Sequence, residues 1–234
     1  SSKKYEKNSL LNRTEGEEAQ YQALINKIES QMKQLLIDVG SLTAAEQGEL
    51  NDILKNADKP KEGKASTSWY YSQRNSKWAK DEIAGIDGVT MEKYGCAISA
   101  VAMVFTYHNE NVEPDDIGKR TSFFENDGSI RWAYPAEKYG MKLKSKEYGI
   151  YHGNIDWDDV EDLIEADIPV IVFISGSGRA GHYVVVHGYD SENDDFVVHD
   201  PYWGPNLLLG TSKKLVGSLY GTKAKVDQMI VYED

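Results

Sequence analysis

The sequence predicts an α+β fold in which helices come first and an antiparallel sheet follows. Apolar residues recur at steps of three and four through the early part of the chain. Short β-branched runs crowd the last third. The polar stretch Asp190-Ser-Glu-Asn-Asp-Asp195 separates two of them by a hairpin-sized turn.

Each element follows from local pattern. Tyr21, Leu24, Ile25, Ile28, Met32, Leu35, Leu36 and Val39 form a helical stripe, opened by the capping-box pair Thr14 and Glu17 and closed at Gly40. A second box, Thr43 with Glu46, starts another helix carrying Leu50, Ile53, Leu54 and Ala57 on one side. The two make a helical hairpin, whose stripe packs on the same chain or recruits a protein partner. Asp58 to Ser68 is polar, holds Pro60 and Gly63, and reads as a linker. This divides the chain into residues 1–64, hairpin and linker, and 65–234, the main domain. Within the latter, Cys96–Tyr107 is an apolar helix of about three turns. Ser129–Tyr139 and Trp157–Ala166 read as amphipathic helices. Pro169–Ile174, His182–Tyr189, Phe196–His199 and Met229–Tyr232 read as strands.

Composition narrows the function. Of 234 residues, 40% are hydrophobic and 11% aromatic, enough for a packed core. Formal charge is −12. The first 64 residues carry 10 basic and 11 acidic groups, the remainder 16 and 27, so the main domain holds nearly all the excess. A general nucleic-acid binder needs a basic face, so that class is disfavoured. One cysteine excludes an intrachain disulfide and any multi-cysteine zinc site. No apolar run reaches the roughly 18 residues of a membrane span. The chain begins Ser-Ser-Lys-Lys without a methionine, which reads as a trimmed N-terminus.

The lone cysteine stands where a helix begins, preceded by Tyr94-Gly95. Unpaired backbone N–H groups and the helix dipole favour an anionic sulfur at such a position. Gly95 permits a sharp turn and leaves room for a substrate backbone. Five histidines compete as its base. His108 lies at the far end of the same helix, out of reach. His152 sits in a Gly/Asn loop. His182 and His187 are five apart on one strand and point to opposite faces. His182 opens the strand after the glycine-rich Ser175–Gly181, whereas His187 inside Val-Val-Val-His-Gly reads as a satisfied core histidine. The orientation of His199 stays open. Asp200 ends the next strand, and antiparallel pairing brings it beside His182, where a carboxylate can fix the imidazole tautomer. Gln73 is an upstream neutral amide of the kind that supports an oxyanion, together with the Cys96 backbone N–H.

Three segments together resemble the papain-like cysteine peptidases of the bacteriocin-leader (double-glycine) type, especially their stand-alone bacterial relatives. Ser72-Gln-Arg-Asn-Ser-Lys-Trp-Ala79 resembles that family's Gln-Arg/Asp-x-x-Trp segment. Tyr94-Gly-Cys-Ala-Ile-Ser-Ala-Val-Ala-Met103 is similar to its Gly-Cys-Gly-x-x-Ser/Ala-x-Ala-Met segment. Gly181-His-Tyr-Val-Val-Val-His-Gly-Tyr-Asp190, followed by Val198-His-Asp-Pro201, resembles its Gly-His-Trp/Tyr-Val-Val-Val-x-Gly-Tyr-Asp and Asp-Pro pair. The likeness runs over roughly residues 68–234 and leaves the hairpin aside. One departure is Ala97, where the family carries glycine.

The resemblance implies a papain-like domain in which Cys96 is the nucleophile, His182 the general base and acid, Asp200 the orienting residue and Gln73 the oxyanion donor. Gly95, Gly181, Tyr202 and Trp203 would border the substrate. It implies hydrolysis of a peptide or protein substrate with no metal or organic cofactor, and a bacterial exported or surface protein. A peptide-binding module without cleavage, or acyl transfer to an amine of the transglutaminase kind, are the alternatives. The acids from Asp156 to Asp167 lack calcium-loop spacing and read as a solvated helix start. Trp132 reads as core.

Overall fold

Alternation along the strands sorts the apolar residues onto two sides of a sheet, and a different set of helices covers each side. The computed structural model describes residues 42–126, 128–148, 153, 155–176 and 181–234. Helix α1 (Ala44–Asn56) begins at the Thr43/Glu46 capping box, present in both directions. A single turn, α2 (Met91–Tyr94), ends at Gly95, and α3 (Cys96–Tyr107) follows at once with the bounds its sequence predicts. Then come α4 (Pro114–Gly118), α5 (Ala133–Tyr139), β1 (Lys142–Leu143), α6 (Ser145–Tyr148) and α7 (Trp157–Glu165). Asp156 caps α7, accepting a hydrogen bond from the Asp158 N–H at 3.1 Å, and Asp158 and Asp159 occupy its first turn. Strands β2 (Val170–Ser175), β3 (Gly181–Asp190), β4 (Asp195–Asp200) and β5 (Gly204–Leu208) lead into α8 (Leu209–Tyr220), and β6 (Lys225–Glu233) follows.

The six strands form one sheet in the order β1-β6-β2-β3-β4-β5, and every neighbouring pair is antiparallel. Ile171, Phe173, Tyr183, Val185, Ile230 and Tyr232 face the side covered by α3, Trp69, Trp78 and Trp132. Val170, Val172, Ile174, Val184, Val186 and Met229 face α7 and α8. Burial on both faces explains why β2 reads as an unbroken apolar run rather than an alternating one.

The Ser129–Tyr139 helix starts later than its periodicity suggests, at Ala133, after a bridge between Phe124 and Ile130. Neither β5 nor α8 is foreseen in the sequence. Helix α8 stops at Gly221, whose positive φ of 61° closes the turn. Helix α1 lies against it: Leu50 is buried, Leu54 packs on the α8-side core, and Ser218 Oγ donates to Glu49 Oε1 at 2.8 Å. The stripe of the first predicted helix, residues 21–39, lies outside the described residues.

The polar stretch after α1 runs along the β3–β4 hairpin. The Lys61 N–H donates to Asp190 Oδ2 at 2.7 Å, and Ala65 and Asn206 exchange two hydrogen bonds of 3.0 Å. Asp190, read from sequence as turn polarity, is fully buried and organises the turn by accepting from Glu192, Asn193 and Lys61. Desolvation opposes its ionisation, but those hydrogen bonds outweigh it and hold its pKa at about 2. No helix among the described residues is long and apolar enough to cross a membrane.

Candidate functional site

The N-terminus of α3 and one end of the sheet meet at a narrow cleft. Gln73, Lys93, Cys96, Gly181, His182, Tyr202 and Trp203 line it, with Val216, Leu219 and Tyr220 of α8 forming one wall. Cys96 stands at this border because an apolar twelve-residue helix buried on the sheet begins there. His182 is the second residue of β3, and Asp200 the last of β4. The hairpin between those strands returns the end of one beside the start of the other.

His182 Nε2 and Asp200 Oδ1 are 2.7 Å apart, and both side chains are buried. Cys96 lines the same cleft, and with Nε2 held by Asp200 the ring nitrogen left for the thiol is Nδ1. Burial works against a charged His182. The Asp200 carboxylate and its hydrogen bond, with a smaller contribution from the sulfur, overcome this and raise the imidazole's pKa above its ordinary 6.5. Desolvation likewise opposes the Asp200 anion, yet His182, Ser212 and the Trp203 N–H lower its pKa on balance. Asp200 Oδ1 also accepts from the backbone N–H groups of Tyr202 and Trp203 at 2.9 and 3.0 Å, and Oδ2 accepts from Ser212 Oγ at 2.7 Å. The Trp203 ring stands edge-on to His182 with centroids 5.1 Å apart, shielding the pair from water.

Gln73 reaches the cleft through a long-range backbone bond, its N–H donating to the Pro201 carbonyl at 2.9 Å. Its Nε2 donates to the Glu92 carbonyl at 2.9 Å, while Oε1 is buried with no hydrogen-bond partner among the described residues. Nε2 also donates to the Met91 carbonyl at 3.5 Å, so both N–H groups of the amide face backbone carbonyls, the Met91 bond being the weaker. Tyr70 OH donates to the Asp200 carbonyl at 3.0 Å, fastening the same segment a second time.

Of the residues expected to border a substrate, Gly181, Tyr202 and Trp203 line the cleft. Tyr202 carries the Arg74 guanidinium on its ring at 4.4 Å. Gly95 does not line the cleft, and the space at its Cα is filled by Met91: a side-chain carbon there would lie 2.5 Å from the Met91 carbonyl oxygen. At Gly181 such a carbon would run into the Ile174 carbonyl. The glycine-rich rim falls partly outside the described residues, which resume at Gly181 after Gly176; His152 falls outside them too. Sequence reading missed Tyr70, Ser212 and the α8 wall. No local signal marks Tyr70 or Ser212, whereas Leu215, Val216 and Leu219 with a following Gly221 are a helix pattern that could have been found.

The other histidines lie away from the sulfur. His108 caps α3 and pairs with Asp234 Oδ1 at 2.9 Å. His187, on the opposite face of β3 from His182, meets His199: His187 Nε2 and His199 Nδ1 are 3.1 Å apart, and Trp69 packs on both rings. His187 is therefore not the satisfied core histidine of the sequence reading, since its Nδ1 is buried and unpartnered among the described residues. Desolvation first, then mutual repulsion, lowers its pKa to about 3, and desolvation lowers that of His199 to about 4. Both are neutral in the folded protein, while the unfolded chain takes up protons below about pH 6.5. Stability should therefore fall as pH drops from 6.5 towards 4, by about 1.4 kcal/mol per pH unit for each imidazole. His182, with its raised pKa, is protonated in both states there and adds no slope. Urea midpoints of the wild type and His187→Phe between pH 7 and 4.5 check this: the variant should show the shallower decline, and parallel curves would refute the assignment.

The acidic trio Glu113, Asp115 and Asp116 gathers at the start of α4. Helix capping and pairs with Lys77 and Lys119 account for it.

The profile of the Peptidase_C39 like family matches residues 68–206, more than half of the chain. The chain belongs to that family. No curated protein matches it. The C39-like assignment agrees with the mixed α+β architecture and makes this a cysteine-peptidase-related fold. The matched segment contains Gln73, Cys96, His182 and Asp200 and stops within β5. The C39-like match therefore excludes α8, and with it Ser212 and one wall of the cleft.

Proposed function

We propose that this protein is a cysteine peptidase that hydrolyses peptide bonds through Cys96, His182 and Asp200. The observation that carries the reading is the imidazole of His182, held by Asp200 at 2.7 Å in the cleft that it lines together with Cys96. In the proposed reaction His182 carries the thiol's proton on Nδ1 as an imidazolium, and the thiolate so formed attacks the substrate carbonyl carbon. The resulting oxyanion accepts from the Cys96 backbone N–H, and from Gln73 Nε2 as its weaker bond to the Met91 carbonyl is exchanged for the oxyanion. His182 then gives its proton to the departing amine as the C–N bond breaks, leaving a thioester. Water, deprotonated by His182, attacks that thioester and releases the acid and the thiol. Family membership supports a peptidase, and burial of the pair supports an environment in which its charges are poorly screened.

The test is a randomised peptide library incubated with the wild type before and after alkylation of its one thiol. Cleavage by the free protein and none after alkylation is expected. Equal cleavage after complete alkylation, or none by the fresh protein across the library, would overturn the reading. Products joined to an added amine in preference to free acids would move it to acyl transfer.

In the same reading, residues 65–234 form the peptidase domain and the helical part before them is an accessory element. Its second helix packs on the back of the α8 wall.

A further inference from the structure

Ser212 stands in the first turn of α8, outside the segment matched by the family, and is fully buried. A serine inside a helix commonly turns its hydroxyl back to the carbonyl four residues earlier. Here the hydroxyl leaves its own helix and donates to Asp200 Oδ2 at 2.7 Å. The two carboxylate oxygens are unequally served. Oδ1 takes His182 Nε2 and the Tyr202 and Trp203 N–H groups, whereas Ser212 is the sidechain donor on Oδ2. A buried carboxylate oxygen stripped of its donor is costly to keep ionised.

We propose that Ser212 is a positioning residue for the Cys96–His182–Asp200 chemistry, holding the plane of the Asp200 carboxylate so that Oδ1 stays on the imidazole. The proposal rests on the peptidase reading for its catalytic meaning, but the geometric claim stands apart from it. Because α8 also walls the cleft through Val216, Leu219 and Tyr220, one helix sets both the substrate wall and the carboxylate. The catalytic unit is thus completed by a piece of chain beyond the common family segment.

The experiment follows the downfield proton resonance of His182 Nε2–H during acid titration of the full chain, comparing wild type, Ser212→Ala and Ser212→Thr. The Asp200 carboxylate holds that proton, so the resonance is lost when Asp200 is protonated. Removing the donor from Oδ2 makes the anion harder to maintain, so Ser212→Ala should lose the signal at a pH higher by roughly half a unit to one unit, each unit being a tenfold change in the protonation equilibrium. Ser212→Thr, which keeps the hydroxyl, should restore the wild-type titration. If Ser212→Ala does not fold, Ser212→Cys, with a weak donor of similar shape, should show the same upward move. In peptide cleavage Ser212→Ala should lower kcat roughly tenfold, about 1.4 kcal/mol in the barrier, with KM little changed. An unchanged titration in the folded variant overturns the proposal whatever the cleavage result. An upward shift in a protein that cuts no peptide sustains the positioning of Asp200 and overturns the peptidase reading instead.

Discussion

Asp200→Ala is expected to reduce peptide cleavage by roughly a thousandfold or more, while Asp200→Asn should cost no more than about a hundredfold. The difference comes from the donors around the carboxylate. Two backbone N–H groups, of Tyr202 and Trp203, converge on the oxygen that also meets His182. An asparagine must place its carbonyl oxygen there, because its NH2 group would face two other donors. The amide nitrogen then falls opposite Ser212 Oγ, which can turn to accept. His182 keeps a proton on Nε2 and an unprotonated Nδ1 available to the thiol, so the tautomer survives and only the negative charge is lost. Alanine removes the charge and the tether together and strands the donors of Ser212, Tyr202 and Trp203 in a buried site. Steady-state cleavage well below each variant's melting temperature checks this. If both variants were equally impaired, the backbone donors would not control the amide.

Gly188→Ala should lower stability by about 1–3 kcal/mol, the largest loss expected from adding one methyl group. A side-chain carbon at Gly188 would overlap the Gly63 carbonyl oxygen, with the Gly63 Cα 2.9 Å away. Gly63 is itself fixed at φ +67°, and a carbon there would stand 2.5 Å from the Tyr189 carbonyl oxygen. Backbone rests on backbone, so no rotamer change relieves the clash. The segment ahead of Tyr70 and Gln73 must lift, and cleavage should fall in the folded fraction as well. Gly48→Ala is the contrast. Nothing lies within 4 Å of the added carbon, and the position is inside α1. That change should stabilise by about 0.4–1 kcal/mol. Thermal melts of the two variants beside the wild type decide the matter. A Gly188→Ala melt equal to wild type would mean the strap is not held as described.

Local sequence carried the elements whose cause is local. Residues 96–107 are apolar but for Ser99 and Thr106 and twelve long, which makes α3 plain from its first residue to its last. The hairpin that brings His182 to Asp200 was legible because strand, turn and strand are consecutive. Strand β5 was missed since Gly204 and Pro205 open it, both poor strand formers, and Asn206 has a positive φ of 53°. Helix α8 was missed because Gly210 and Gly217 interrupt its pattern and it is buried on more than one face. Gln73 had only its amide and its place upstream of Cys96 to mark it before the resemblance: its backbone is tied to Pro201, and nothing near position 73 announces that partner. The pairing of His187 with His199 depends on the register of β3 and β4, which shifts beside His187, so spacing could not supply it. Trp132 is buried as its sequence suggested.

The order in which the chain is synthesised meets an obstacle in the sheet. Residues 225–233 are made after the other five strands of the described sheet, yet β6 lies inside, bonded to β1 on one edge and β2 on the other. Until they emerge from the ribosome, Val170–Ser175, apolar up to Ile174, lacks its partner on that edge, the kind of surface that captures a neighbouring strand. Threading the late strand into that gap closes the sheet and removes the hazard in one event. A nascent sheet assembled this way stays unfinished until this interior strand has been delivered.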